Sequence, residues 1–202
     1  MISHDHKCIF IHIPRCAGTS IESWIGGQDW WYVESSTKHV IASQAKEIYS
    51  EYWNEYFKFS VVRNPYTRVL SSLKYMDYFG TYLDSQGNID FSEYHKLFGS
   101  DVVLECDYRF YDRKNILKPH HIAGQVYGNI LDEPLDYIIR YENLHDDVQE
   151  VGQYLGLKTE FNQHLESSQT LGTGITSRLT DKTQAYVSHL YSHDFLRYGY
   201  TD

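Results

Sequence analysis

Residues 7–25 read KCIFIHIPRCAGTSIESWI, and this stretch decides the fold. Residues 7–13 form a short, nearly continuous apolar run with several β-branched side chains, ended by Pro14. Such a run predicts a strand buried on both faces, the kind found in a parallel sheet. Beyond it, Ile21, Trp24 and Ile25 recur at helical spacing until Gly26 and Gly27 stop the pattern. Between strand and helix lies the turn Pro14-Arg15-Cys16-Ala17-Gly18-Thr19-Ser20. Small residues at 17 and 18 let backbone N–H groups point outward at a helix N-terminus, where unpaired donors and partial positive charge collect. Thr19 and Ser20 add hydroxyl donors, and the whole reads as a phosphate-binding turn. The alternative, a Ser/Thr cap opening a core helix, would need neither Arg15 nor the small residues. The turn is not a Walker A loop, which carries Lys after its second Gly. Here the one cation, Arg15, precedes the single Gly by three residues, and this disfavours ATP or GTP hydrolysis.

The same order recurs downstream. Phe57–Val62 (FKFSVV) predicts a second buried strand, Arg63-Asn64-Pro65 breaks it, and residues 66–78 resume as a helix with Val69, Leu70, Leu73 and Met76 on one face. Arg63 at the strand tip and Ser71 eight residues on can converge on a second anion, and the planar guanidinium suits phosphate oxygens. In parallel α/β sheets ligands bind outside the carboxyl ends of the strands, where both turns would lie. Two such sites on neighbouring strands point to a nucleotide phosphorylated at two separate positions. Arg68 and Lys74 read equally well as surface helix charges, which is the default for Lys74.

Elsewhere, residues 43–56, 145–155 and 180–193 predict helices, and residues 135–141 a third strand. Residues 90–93 form a capping box, while residues 81–128 give no clear pattern. Strands alternating with helices predict a single α/β domain over residues 1–202 with a central, mainly parallel sheet. The composition agrees: 202 residues, 42% of them hydrophobic and 16% aromatic, supply a sizeable core. With 18 Lys and Arg against 27 Asp and Glu, the net charge is −9, which disfavours a nucleic-acid binder. Residues 58–75 nevertheless hold four cations and no acid, a basic island suited to a small anionic ligand. Three widely spaced cysteines (Cys8, Cys16, Cys106) give neither a disulfide framework nor a zinc pattern. No apolar run is long enough to span a bilayer, and no secretory leader is legible, so a cytoplasmic setting without membrane anchor is expected.

Taken in order, IHIPRCAGTS resembles the 5′-phosphosulfate-binding loop of sulfotransferases that use 3′-phosphoadenosine 5′-phosphosulfate (PAPS). VVRNPYTRVLSSL resembles their 3′-phosphate-binding motif. Arg140-Tyr141-Glu142-Asn143-Leu144 and the ending Tyr191…Asp194-Phe195…Tyr198-Gly199-Tyr200 are similar to the carbohydrate branch, with its uronosyl 2-O- and HNK-1/chondroitin-type enzymes. The resemblance implies a P-loop-like, three-layer α/β fold and transfer of a sulfuryl group from PAPS to a hydroxyl or amine of a glycan or small molecule, without a metal, leaving 3′-phosphoadenosine 5′-phosphate (PAP). It implies that Arg15, Cys16, Ala17, Gly18, Thr19 and Ser20 form the 5′ loop, and that Arg63 and Ser71 hold the 3′-phosphate. Arg15 stands where the family usually has Lys; it keeps the charge beside the leaving oxygen but differs in reach and cannot lose a proton.

Such a transfer also needs a base for the acceptor proton, and histidine titrates in the right range. His39, between the two motifs and followed by Val40, resembles the His-Val segment at the base position of uronosyl-type enzymes; a polar residue at a strand edge is the plain alternative. His120 and His121 are the runners-up, and residues 172–178 could close over the nucleotide. Two other readings stay open: a non-catalytic PAPS- or PAP-binding protein, and a nucleotide-dependent phosphotransferase, for which no Asp suited to Mg²⁺ is evident.

Overall fold

Three parallel strands with helices between them put their carboxyl ends along one edge. In the computed structural model, which describes residues 1–76, 126–161 and 181–200, β1 (Ile2–Ser3) pairs antiparallel with β2 (Cys8–Ile11). β2 then pairs parallel with β3 (Phe57–Val62), and β3 with β4 (Tyr137–Arg140), so the order is β1-β2-β3-β4. All four residues of β2 and the last four of β3 are buried, as their continuous apolar character predicts. The one hydroxyl in that run, on Ser60, donates to the Ile11 carbonyl at 2.7 Å. This mainly parallel sheet with intervening helices fits a three-layer α/β fold. The short antiparallel β1 is an addition that its two residues did not signal.

The described residues fall into two units. The first holds residues 1–63 and 129–161. It contains the sheet, α1 (Gly18–Gly26), α2 (Trp31–Glu34) and α3 (Ala42–Ile48), together with a helix at Leu144–Leu155. Gly27 and Gly156 close α1 and Leu144–Leu155 in the left-handed region, the usual role of glycine after a helix. α3 stops at Ile48, eight residues short of the expected end; turns anchored by Tyr49, Trp53 and Tyr56 follow. Bulky aromatics and the acids Glu51 and Glu55 are poor company for a helix C-terminus.

The second unit holds residues 64–76, 126–128 and 181–200. α4 (Pro65–Met76) opens on proline, whose missing N–H costs nothing at that position. The last helix predicted as one piece is two: Asp181–Leu190 and Ser192–Arg197. Tyr191 at the break is fully buried, and its hydroxyl accepts from Arg68 Nη1 at 2.7 Å. Arg68 also lies over the Tyr127 ring, 5.2 Å from its centroid, so it is a core residue and not the surface charge that was one of its readings. Asp194, buried, accepts from the backbone N–H groups of Tyr127 (2.6 Å) and Gly128 (3.2 Å). Burial pushes its carboxyl up, against those two bonds and the nearby Arg68 and Arg197.

Within the first unit, Gly152 lets the helix Leu144–Leu155 approach Trp24 closely. A β-carbon there would sit 2.9 Å from Cζ2 and 3.1 Å from Cη2 of Trp24. The indole cannot easily yield, because its Nε1–H donates to the Thr159 carbonyl at 2.8 Å. Gly152→Ala is therefore expected to destabilise the protein by about 1–3 kcal/mol through overpacking, despite alanine's better helix propensity. A urea midpoint equal to or above the parent's would refute the close contact.

Candidate functional site

The first turn is bent by residues that are not glycine. Arg15 (φ 68°) and Ala17 (φ 60°) both adopt the left-handed region, and Ala17 is the N-cap of α1. That conformation is costly for L-residues, and it leaves successive N–H groups able to converge, as in anion-binding nests. Cys16, Gly18 and Ser20 are buried, whereas Arg15, Ala17 and Thr19 are partly exposed. Cys16 is not part of a disulfide.

The turn rests on a buried polar cluster. Gly18 lies against the His12 imidazole so closely that any β-carbon would overlap the ring. His12 Nδ1 is 2.6 Å from Oε1 of Glu22, whose side chain is wholly buried one turn into α1. The other carboxylate oxygen, Oε2, meets Lys38 Nζ at 3.2 Å and accepts the Trp30 N–H at 3.2 Å. Lys38 in turn pairs with Asp29. Burial alone would raise the Glu22 carboxyl, but His12 and Lys38 overcome it and hold the group at about 2. Burial also lowers His12, against the pull of Glu22. His12 Nδ1 thus donates to an ionised carboxylate, which Lys38 also faces.

His39 belongs to the same cluster. It is 6% exposed, and its ring meets that of His12 edge-on with centroids 4.4 Å apart. Its Nδ1 lies 3.3 Å from the His12 carbonyl oxygen. A carbonyl can only accept, so Nδ1 is the donor in this contact.

The second turn reaches the first through Arg63. Its Nη1 donates to the Arg15 carbonyl at 3.2 Å, and its guanidinium lies over the Tyr141 ring, 4.2 Å from the centroid. Arg15, Arg63, His39 and residues 16–20 all belong to the first unit. Ser71 is buried on α4 in the second unit. Cys106, His120, His121, the capping box at 90–93 and residues 172–178 lie outside the described residues. Sequence reasoning gave no role to His12, Glu22, Lys38 or Tyr141, although His12 and Tyr141 stand within the motifs quoted for the resemblance. His12 and Glu22 lie inside the quoted opening stretch, and a carboxylate on the buried face of an apolar helix was the available signal. Among the described residues no group of His, Cys, Asp or Glu could hold a metal ion, and no helix is long and apolar enough to cross a membrane.

The cluster has a pH consequence. In the unfolded chain His12 takes up a proton near 6.5 and Glu22 near 4.5, whereas the folded protein disfavours both uptakes. The stability they contribute is complete above about pH 7. It is lost first as the pH falls through the ordinary histidine range, then between about 4.5 and 2. Glu22→Ala should cost about 3–5 kcal/mol at pH 7.5, since it strands buried Lys38 and His12. The loss should shrink as the pH is lowered toward 3 in urea titrations; a constant difference would overturn the ionised pair.

Comparison with known proteins bears on the N-terminal part of the chain, a little under half of it, which carries both turns. Residues 1–96 match the model of the Sulfotransferase family. No curated protein and no solved structure matches the chain. The matched stretch takes in β2, the Arg15–Ser20 turn, His39, β3 and Arg63. Over these residues the chain is similar to the Sulfotransferase family.

Proposed function

We propose that the protein is a PAPS-dependent sulfotransferase with a P-loop-like core, acting on a hydroxyl or amine of a glycan or small molecule. The observation that carries this reading is the reach of Arg63 to the Arg15 carbonyl, which joins the two anion-binding turns at neighbouring strand tips. The residues suit the donor. A left-handed turn at a helix N-terminus fits the 5′-phosphosulfate, and a guanidinium at the next strand tip fits a second phosphate.

PAPS, when bound, supplies an activated sulfuryl group joined to phosphate through a bridging oxygen. The chain's own residues have three tasks. The N–H groups and hydroxyls of residues 16–20 orient the phosphosulfate, and Arg15 offsets the charge that builds on the leaving phosphate as its S–O bond breaks. His39 Nε2 takes the proton of the attacking acceptor group, with Nδ1 held on the His12 carbonyl. Support for a sugar or other ring-bearing acceptor comes from Trp31, Tyr32 and Val33, a run of exposed apolar side chains that follows Asp29 in the same cluster.

A second reading, nucleotide binding without transfer, is favoured by the depth at which His39 is buried. Incubation with PAPS and a panel of hydroxyl and amine acceptors separates the two, since only the enzyme releases PAP. Arg63→Ala should weaken PAP binding by about 2–3 kcal/mol in calorimetry, the scale of a charged contact. His39→Ala should instead lower kcat by about a hundredfold or more with PAP affinity kept. Equal loss of both would make His39 structural, and absence of PAP binding by the parent protein would refute the proposal.

A further inference from the structure

Parallel pairing fixes which residues leave the sheet together. In the β3–β4 register Val62 faces Arg140, so the next residue on each strand, Arg63 and Tyr141, emerges side by side at the carboxyl edge. Neighbouring strands lie about 4.8 Å apart, which places a side chain from one tip within stacking distance of its neighbour. The contact follows: the guanidinium carbon of Arg63 lies 4.2 Å from the Tyr141 centroid. The tip of β4 is itself held, because the Arg140 N–H donates to Asp147 Oδ2 at 2.8 Å. Tyr141 then opens a single 3-10 turn, Tyr141–Asn143, that leads into the helix Leu144–Leu155. The ring is therefore carried on a fixed mount.

A guanidinium whose carbon lies over an aromatic face is held there by cation–π attraction. Its Nη1 is also held, by the Arg15 carbonyl. These two contacts leave the side chain less freedom to lose when an anion arrives. A flexible arginine would have to give up that freedom on binding.

We propose that Tyr141 is a positioning residue for the nucleotide's second phosphate: it holds the Arg63 guanidinium in the orientation that meets that phosphate. This rests on the donor reading above. The residue acts through Arg63 and need not touch the ligand. The aromatic face is the required feature, and the phenol hydroxyl is not.

The test compares the binding of PAP with that of AMP, which lacks the 3′-phosphate, in calorimetry on the full chain. Tyr141→Leu should weaken PAP about tenfold, the scale of a partly desolvated cation–π contact, while AMP changes less than twofold. Tyr141→Phe should restore PAP affinity to within about twofold of the parent. In an Arg63→Ala background Tyr141→Leu should add no further loss, because the residue it orients is gone. Tyr141→Gln repeats the comparison on a soluble, ringless side chain should leucine disturb folding. Equal weakening of PAP and AMP, an unchanged PAP affinity in Tyr141→Leu, or additive losses in the double variant would each overturn the role of Tyr141. Failure of the parent chain to bind PAP at all would overturn the donor reading and this inference with it.

Discussion

The carboxylate of Glu22 is the constraint on which the candidate site depends. A charge with no solvent exposure survives only if every lone pair is answered, and here His12, Lys38 and the Trp30 N–H answer them. The consequences run outward in two directions. His12, fixed by its bond to Glu22, presents one side of its ring to Gly18 and so sets the entry to α1. It also packs its ring edge against His39 and lends that residue its carbonyl. Lys38, the immediate neighbour of His39, closes the circuit through Asp29. One buried anion therefore relates the start of the phosphate turn to the histidine proposed as the base.

The sheet register supplies the second level of order. β3 and β4 run parallel with Val62 opposite Arg140, so their tips deliver Arg63 and Tyr141 to the edge toward which the parallel β2 also runs. The chemistry then needs only short side-chain reaches, from Arg63 to the Arg15 carbonyl and to the Tyr141 ring. Function and fold meet at that edge: the strands fix spacing, and the turns fix direction.

Much of this was legible in the sequence. The strands at 8–11, 57–62 and 137–140 lie inside the apolar runs that predicted them; in β2 and the last four residues of β3, burial on both faces writes itself as unbroken hydrophobicity. Arg15 and Arg63 stand where the sequence puts them, one in the turn that leads into α1 and the other at the tip of β3, and they meet through the Arg15 carbonyl. What escaped detection were contacts between residues distant in the chain. Arg68 shows why: hydrophobic periodicity cannot tell an arginine buried on tyrosine from one in water, since both sit between apolar neighbours. Glu22 did carry a signal, a carboxylate on the buried face of α1, but the sequence names neither His12 nor Lys38 as its partners. The break at Tyr191 and the early end of α3 turned on tertiary anchoring of aromatics, which local propensity does not encode.

The twisted backbone at Arg15 and Ala17 carries one more implication. Its conformational cost is met when the chain folds, so the turn proposed to cradle the phosphosulfate would need no remodelling at the moment of encounter. Sites of this kind discriminate by shape already present, and they tolerate little variation in the residues that line the bend. A β-branched side chain at 17 would demand a left-handed geometry that such residues almost never accept. Drift in this loop is thereby confined to alanine, glycine and the few polar residues at ease with a positive φ.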